Sequence, residues 1–413
     1  MARRGGWLPL LVLVLPLVVL VLPLPVGAGD WPHWLGADRD GSSDETGLLA
    51  PWPEAGPPVR WRRPSGGGFS GVAVDGERLY TMWSTGGEEH LVCLDANSGD
   101  ELWQASLGPT FRNERGGGPR SFPTLDGDLV YALSGLGRLQ AHSADKGELR
   151  WAKDLVAEFG ARVPIWGVST SPLVAGRLLV VAAGGDGGKA VIAFDKRTGE
   201  VVWSALSDPP SYSSPIALGA AGAQQLVFVL GQRVVSLSPA GDLLWSHPWP
   251  VVNNINVATP VAVGDDRVFV STSYDVGGVL LRIEKRGDEL GVSEVWKSRV
   301  LKNHFHTSVL HGGHLYGFDN ATLKCVEAAT GEERWRRRGL GKGSLILADG
   351  RLVVLGERGR LVLVDASAEA YAEAGATQAL QGRCWTAPTL AGGRLYLRNE
   401  EELVSLALKP EGR

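Results

Sequence analysis

The chain has 413 residues, 21% of them charged, and a formal net charge of −4. That balance is globular and offers no general attraction for nucleic acid or for an anionic lipid surface. Its 56 glycines, 24 prolines and 15 tryptophans suit a fold of many turns and short strands.

The first segment stands apart. Arg3 and Arg4 precede an apolar run from Trp7 to Val26, which ends in the small-residue step Val26-Gly27-Ala28. Residues 1–28 therefore read as a secretory signal peptide cleaved after Ala28. The alternative is an uncleaved anchor, because the run exceeds a usual signal core; Pro9, Pro16, Pro23 and Pro25 interrupt a continuous helix. On either reading the remainder is exported, to the periplasm or outside the cell, and membrane contact is expected only with an uncleaved signal. No cysteine precedes Cys93, so no lipid-anchored amino terminus is expected. Loss of Arg3 and Arg4 removes two of 41 basic residues against 45 acidic ones and takes the charge from −4 to −6.

Residues 29–56 are rich in proline, glycine and tryptophan without periodicity, and read as an ordered arm. Within it, Asp38-Arg39-Asp40-Gly41-Ser42-Ser43-Asp44 faintly suggests a calcium loop. Ser43 stands where glycine is needed and Leu49 where glutamate is needed, so a solvated turn is the better reading.

A repeat then begins. Its best copy is Ala193-Phe194-Asp195-Lys196-Arg197-Thr198-Gly199-Glu200-Val201-Val202-Trp203: a strand, a tight turn and a strand carrying tryptophan. The four-residue step from glycine to tryptophan returns at Gly99 to Trp103, Gly147 to Trp151, Gly241 to Trp245 and Gly331 to Trp335. A period of about 40 to 50 residues with several short strands per unit marks a β-propeller. Each unit has room for four strands, a to d from the axis outwards. The seventh lacks its tryptophan, and residues 370–380 fill its outer strand. The eighth, Trp385 to Leu408, holds only three strands, while Pro58-Val59-Arg60-Trp61 is a fourth strand with no blade of its own. The expected architecture is all-β: an eight-bladed propeller of four-stranded blades over residues 57–408. The N-terminal strand closes the ring in the last blade, and 409–413 form a tail. Closure removes the exposed edges of an open array. The repeated tryptophans read as inter-blade packing, with the indole N–H reaching a neighbouring carbonyl. Cys93 and Cys325 occupy the same position in different blades, so free buried thiols are expected.

The recurring alanine, aspartate, threonine-glycine and tryptophan, clearest in residues 193–203 and again in Leu94-Asp95-Ala96-Asn97-Ser98-Gly99 and Glu327-Ala328-Ala329-Thr330-Gly331, resembles the quinoprotein-type propeller repeat. Asp30–Gly41 and Cys384-Trp385-Thr386-Ala387-Pro388 look like a group of secreted bacterial propellers of unassigned activity. The resemblance spans nearly the whole mature chain. It implies either pyrroloquinoline quinone- and calcium-dependent alcohol or sugar dehydrogenases, or non-catalytic scaffolds such as the propeller of the outer-membrane assembly machinery.

In such a ring the d-to-a and b-to-c connections share one face, and the d-to-a segments lie nearest the axis. Candidate ligand residues at that mouth are Arg120, Trp166, Tyr212, Asn254, Asn256, His304, His306, Lys342 and Trp385. They suit a planar or anionic ligand; the competing reading is a hydrogen-bonded plug. His304 and His306 alternate as strand neighbours and could share a metal, although two ligands are too few for a structural site. A quinone dehydrogenase also needs calcium on oxygen ligands and a carboxylate base. The near-axis parts of the d-to-a segments carry no acid, the nearest being Asp208, and Asp186, Asp275, Asp319, Glu357 and Glu400 lie on b-to-c loops. No two cysteines are adjacent, whereas many alcohol-oxidising relatives carry such a pair. No catalytic residue is assigned from the sequence. The expected function is an exported, monomeric binding or assembly scaffold holding a protein partner or small ligand, with the quinone dehydrogenase as the alternative. No cofactor follows from the residues themselves; pyrroloquinoline quinone and calcium follow only from the resemblance.

Overall fold

In the Asp195–Glu200 turn, the Asp195 carboxylate accepts the amides of Arg197 and Thr198, and Gly199 takes a left-handed conformation to hand the chain to the next strand. Repetition of this unit builds the ring. The computed structural model describes residues 29–409, so the expected signal segment 1–28 lies outside the described residues. Eight antiparallel sheets form a β-propeller, and the only α-helix among the described residues is the short Leu155–Phe159. Blade 1 runs Ala73–Asp75, Arg78–Thr85, Glu88–Asp95 and Glu101–Pro109, in spatial order from axis to rim. Blades 2 to 7 repeat that order and begin at Thr124, Leu173, Ile216, Val261, Val309 and Ser344.

The eighth blade joins the two ends of the chain. Thr389–Ala391, Arg394–Arg398 and Glu402–Ala407 supply its inner strands, and Val59–Pro64 pairs outside them, with Trp61 opposite Ser405. In blade 7 the outer strand is Glu373–Gln378.

The blades interlock through the tryptophans. Trp61, Trp103, Trp151, Trp203, Trp296 and Trp335 each donate the indole N–H to a carbonyl of the following blade, those of Ala96, Ala144, Lys196, Pro239, Ala328 and Ser367, at 2.8–3.2 Å. The first five also lie flat on the turn glycine of that blade. A Cβ on Gly147, for example, would sit 2.4 Å from Trp103. This explains the spacing: the glycine receives the preceding blade's tryptophan, and the residue four positions later is passed forward. Trp245 departs from the pattern. The next blade has a long hairpin there (Gly277–Arg286 and Glu289–Ser298), and Trp245 donates instead to Gln225 of its own blade. All three cysteines are free and buried.

The turn at Asp38–Asp44 keeps its three aspartates exposed, as expected, but the arm around it is built into the ring. Trp31 bridges to Val74 of blade 1, and Ser42–Ser43 adds a parallel strand to the innermost strand of blade 7. Between them Arg39, only 5% exposed, enters the channel and donates to the carbonyls of Ser171, Pro172 and Pro215. Asp40 accepts the Ser42 amide, forming the tight turn beside it. Carbonyls just ahead of the inner strands have no sheet partner, and a buried arginine with several donors satisfies them. Glu45 anchors the far end on the Gly393 amide and Lys409.

Candidate functional site

Just above the arm, hydroxyls stitch neighbouring d-to-a segments together. Phe122 donates its amide to Ser171, Ser171 to Ser214 and Thr259 to Thr307, while Ser213 donates to the Ala258 carbonyl. These small polar residues serve the ring and take up the hydrogen-bonding capacity expected of a plug. Beyond them the channel widens into a cavity of about 530 Å³. All eight d-to-a connections contribute to its wall, together with Tyr274 from a b-to-c loop. Its floor includes Trp34 of the arm, whose indole donates to Thr259 at 2.9 Å and meets Phe122 edge-on.

Seven of the nine candidates from the sequence line this cavity: Arg120, Trp166, Tyr212, His304, His306, Lys342 and Trp385. Asn254 and Asn256 do not. The Asn256 amide is buried and donates to the Leu230 carbonyl at 2.8 Å, and Asn254 accepts from Gln232. Their neighbours Val252, Asn253, Ile255 and Val257 face the cavity instead. Asn253 and Asn254 are both left-handed, and this irregular segment breaks the simple alternation that sequence reasoning assumes. Tyr274, Arg115 and Trp34 line the cavity without having been singled out, and Phe305 joins them between the candidates His304 and His306. Tyr274 has a left-handed backbone (φ 56°), uncommon for an aromatic residue. It belongs to a loop whose Gly277-Gly278 offered the only local sign of unusual geometry.

The walls are aromatic. Trp166 and Tyr212 pair with ring centroids 5.6 Å apart, and the Tyr212 hydroxyl accepts the Trp166 amide. Opposite, Phe69, Trp385, Phe305 and His304 form a continuous series with centroid separations of 5.4, 4.6 and 4.1 Å. Trp385 donates its indole N–H to Glu357, which also accepts the Lys342 amide.

The cations differ in how far they are committed. Arg120 lies between the Phe69 and Phe111 rings and donates to the Gly116 and Gly118 carbonyls; burial lowers its pKa to about 10. Arg383 is paired with Glu400. Lys342 lies over the Phe305 ring at 5.2 Å; burial pulls its pKa down, the nearby Glu357 carboxylate opposes this and Arg115 adds to it. Neither the Lys342 ammonium nor the Arg115 guanidinium has an ion-pair partner among the described residues.

The histidines stay neutral. His304 contacts the Tyr274 hydroxyl at 3.2 Å, and burial with the nearby Lys342 lowers its pKa to about 4. His306, 8% exposed, falls to about 4 through burial, and neither ring nitrogen makes a hydrogen bond of normal geometry. The Trp385 backbone lies close enough to oppose that shift slightly. No cluster of three or more histidine, cysteine, aspartate or glutamate side chains suited to a metal occurs among the described residues.

Among the described residues no carboxylate is part of the cavity wall, although Glu357 stands directly behind Trp385 and Lys342. The loop acids are engaged elsewhere: Asp208 with Arg233, Asp186 with Arg162, Asp319 with Lys324, Asp275 near Lys302, and Glu400 with Arg383. Glu89, fully buried near Arg120, accepts the Phe111 and Gly135 amides, and burial raises its pKa. Calcium takes about six to eight oxygen ligands, mostly carboxylates and carbonyls. This lining does not fit that ion, although its aromatic and cationic side chains fit a flat anion.

No curated protein matches the chain by sequence. Similar solved structures include BamB from Moraxella catarrhalis, with TM-score 0.57 and 14% identity over 84% of this chain and 100% of that one. The quinohemoprotein alcohol dehydrogenase from Comamonas testosteroni has TM-score 0.62 and 11% identity over 93% and 81%. The computationally designed Ika8 protein has TM-score 0.59 and 12% identity over 85% and 100%. At such identities these likenesses concern the fold. The family described as outer membrane protein assembly factor BamB matches residues 49–154, 87–337 and 319–409. By that match, and by its ring of tryptophan-docked four-stranded blades, the chain belongs to the BamB family of β-propellers.

Proposed function

We propose that this protein is an exported, non-catalytic binding propeller that engages its ligand or partner through the channel mouth. The observation that carries this reading is the composition of the cavity wall: aromatic rings, Arg115, Arg120 and Lys342, and no carboxylate. Alcohol oxidation needs a base to take the hydroxyl proton. Within the cavity the only neutral bases are His304 and His306, and the nitrogens of His306 are sealed from solvent. Belonging to the same family as an assembly factor supports a role in holding another molecule. Export rests on the apolar leader.

The second reading is a pyrroloquinoline quinone- and calcium-dependent dehydrogenase. The flat, cationic cavity favours it; the lack of a carboxylate in the wall does not. Calorimetric titration with the quinone, with and without calcium, beside a dye-linked assay on alcohols and aldoses, separates the two. The binding reading expects no calcium-dependent step and no turnover. Calcium-dependent binding with turnover would replace it by the dehydrogenase.

A further inference from the structure

We infer that the mouth holds a planar aromatic oxyanion directly on Arg115 and Lys342, without a metal ion. The inference rests on the binding reading above and adds the chemical class of the occupant.

Two observations converge. First, the two cations line one cavity and neither forms a direct ion pair among the described residues, although the Glu357 carboxylate lies near enough to act on Lys342. Lys342 comes from the connection between blades 6 and 7 and Arg115 from the long loop between blades 1 and 2, yet both line one cavity. Arg115 is carried by the segment Phe111–Gly118, fixed at its base by the Gly118 amide on the Phe111 carbonyl and at its side by Asn113 on the Ile165 carbonyl. An unpaired arginine and lysine held near each other repel, and an oxyanion between them removes that repulsion and gains charge-assisted hydrogen bonds. Glu357 accepts the Trp385 indole and the Lys342 amide and offsets part of the Lys342 charge, while Arg115 keeps no ion-pair partner among the described residues.

Second, the space beside the cations is bounded by flat rings on both sides, Trp166 and Tyr212 against Trp385 and Phe305. Rings in these positions favour an aromatic body by stacking. The volume of about 530 Å³ lies within the range of small-molecule sites. With no carboxylate in the wall, a divalent ion would add to the positive charge without finding ligands.

The probe is naphthalene-2,6-dicarboxylate, with naphthalene-2,6-dimethanol as its neutral counterpart, titrated into the mature protein in the presence of EGTA and followed by calorimetry. The diacid should bind without calcium, at least tenfold tighter than the diol, and weaken with added salt. Lys342→Met and Arg115→Met should each lower diacid affinity about tenfold, with unchanged thermal midpoints, and Lys342→Arg should keep most of it. Equal binding of diacid and diol, untouched by these variants, would overturn the charged seat and leave mouth binding standing. Binding of the diacid only with calcium would overturn both the seat and the reading beneath it. Failure of both probes at millimolar concentration would overturn the inference alone, because a protein partner could still dock at the mouth.

Discussion

The guanidinium of Arg398, in the last blade, donates to the Met82 carbonyl of the first blade at 2.7 Å. The same buried side chain reaches the Ser70 and Gly66 carbonyls and the Thr81 hydroxyl, with no carboxylate in direct contact. Burial lowers its pKa to about 10, so it stays charged at neutral pH. Arg398→Met should therefore leave several acceptors unsatisfied and cost about 3–5 kcal/mol. Urea unfolding measures this, and a loss below about 1 kcal/mol would show that the contacts are incidental.

The docking of tryptophan on glycine gives a matched pair of substitutions. Gly147 and Gly127 both have positive φ, at 69° and 59°, but a Cβ on Gly147 meets Trp103 whereas one on Gly127 meets nothing within 4 Å. Gly127→Ala should cost about 1 kcal/mol from backbone conformation alone. Gly147→Ala should cost about 1–3 kcal/mol more through overpacking. Equal losses would show that the indole moves aside freely.

Acid should weaken the fold through His306. Its folded pKa is about 4 against an ordinary 6.5, so between those values the unfolded chain takes up a proton that the folded chain refuses. Its contribution is complete above about pH 6.5 and falls away as pH drops towards 4, by up to about 3 kcal/mol. Glu89, with a raised pKa, has the opposite slope. The clean readout is therefore the difference between wild type and His306→Gln across pH 4–7, in which Glu89 cancels. A flat difference would mean that His306 titrates normally.

Asn256 and Trp166 should separate framework from wall. Asn256→Ala removes a buried donor to the Leu230 carbonyl and should cost about 1–3 kcal/mol while leaving diacid binding unchanged. Trp166→Ala removes an aromatic wall and should weaken binding about tenfold, at a smaller cost in stability. The reverse pattern, read by calorimetry and urea titration, would place the ligand elsewhere.

The ring was legible because its signals are local. Gly199 and Trp203 lie four residues apart, and the surplus strand at Val59 could belong only where a blade was short. The mouth was legible in outline because the d-to-a connections must approach the axis, which brought seven of nine candidates to the cavity wall. What escaped depends on distant contacts. Arg39 looks solvated until the channel is seen to offer it the carbonyls of Ser171, Pro172 and Pro215. Trp34 reaches the cavity floor only because the arm crosses beneath the ring, and it meets Thr259 from 225 positions away. Asn256 reads as a mouth amide because the bend that turns it towards Leu230 has no marker beyond two asparagines.

The shared last blade also sets a clock. Arg62 and Glu402 form an ion pair across strands whose residues stand 340 positions apart. Val59–Pro64 cannot find its partner, Glu402–Ala407, until all the blades between them in the chain have been made. Until then the outward faces of the first and last blades formed stay uncovered, leaving apolar surface that another chain could bury. Such a protein needs guarding against aggregation through most of its biosynthesis. Losing even its last blade strand, Glu402–Ala407, would leave that vulnerability permanent.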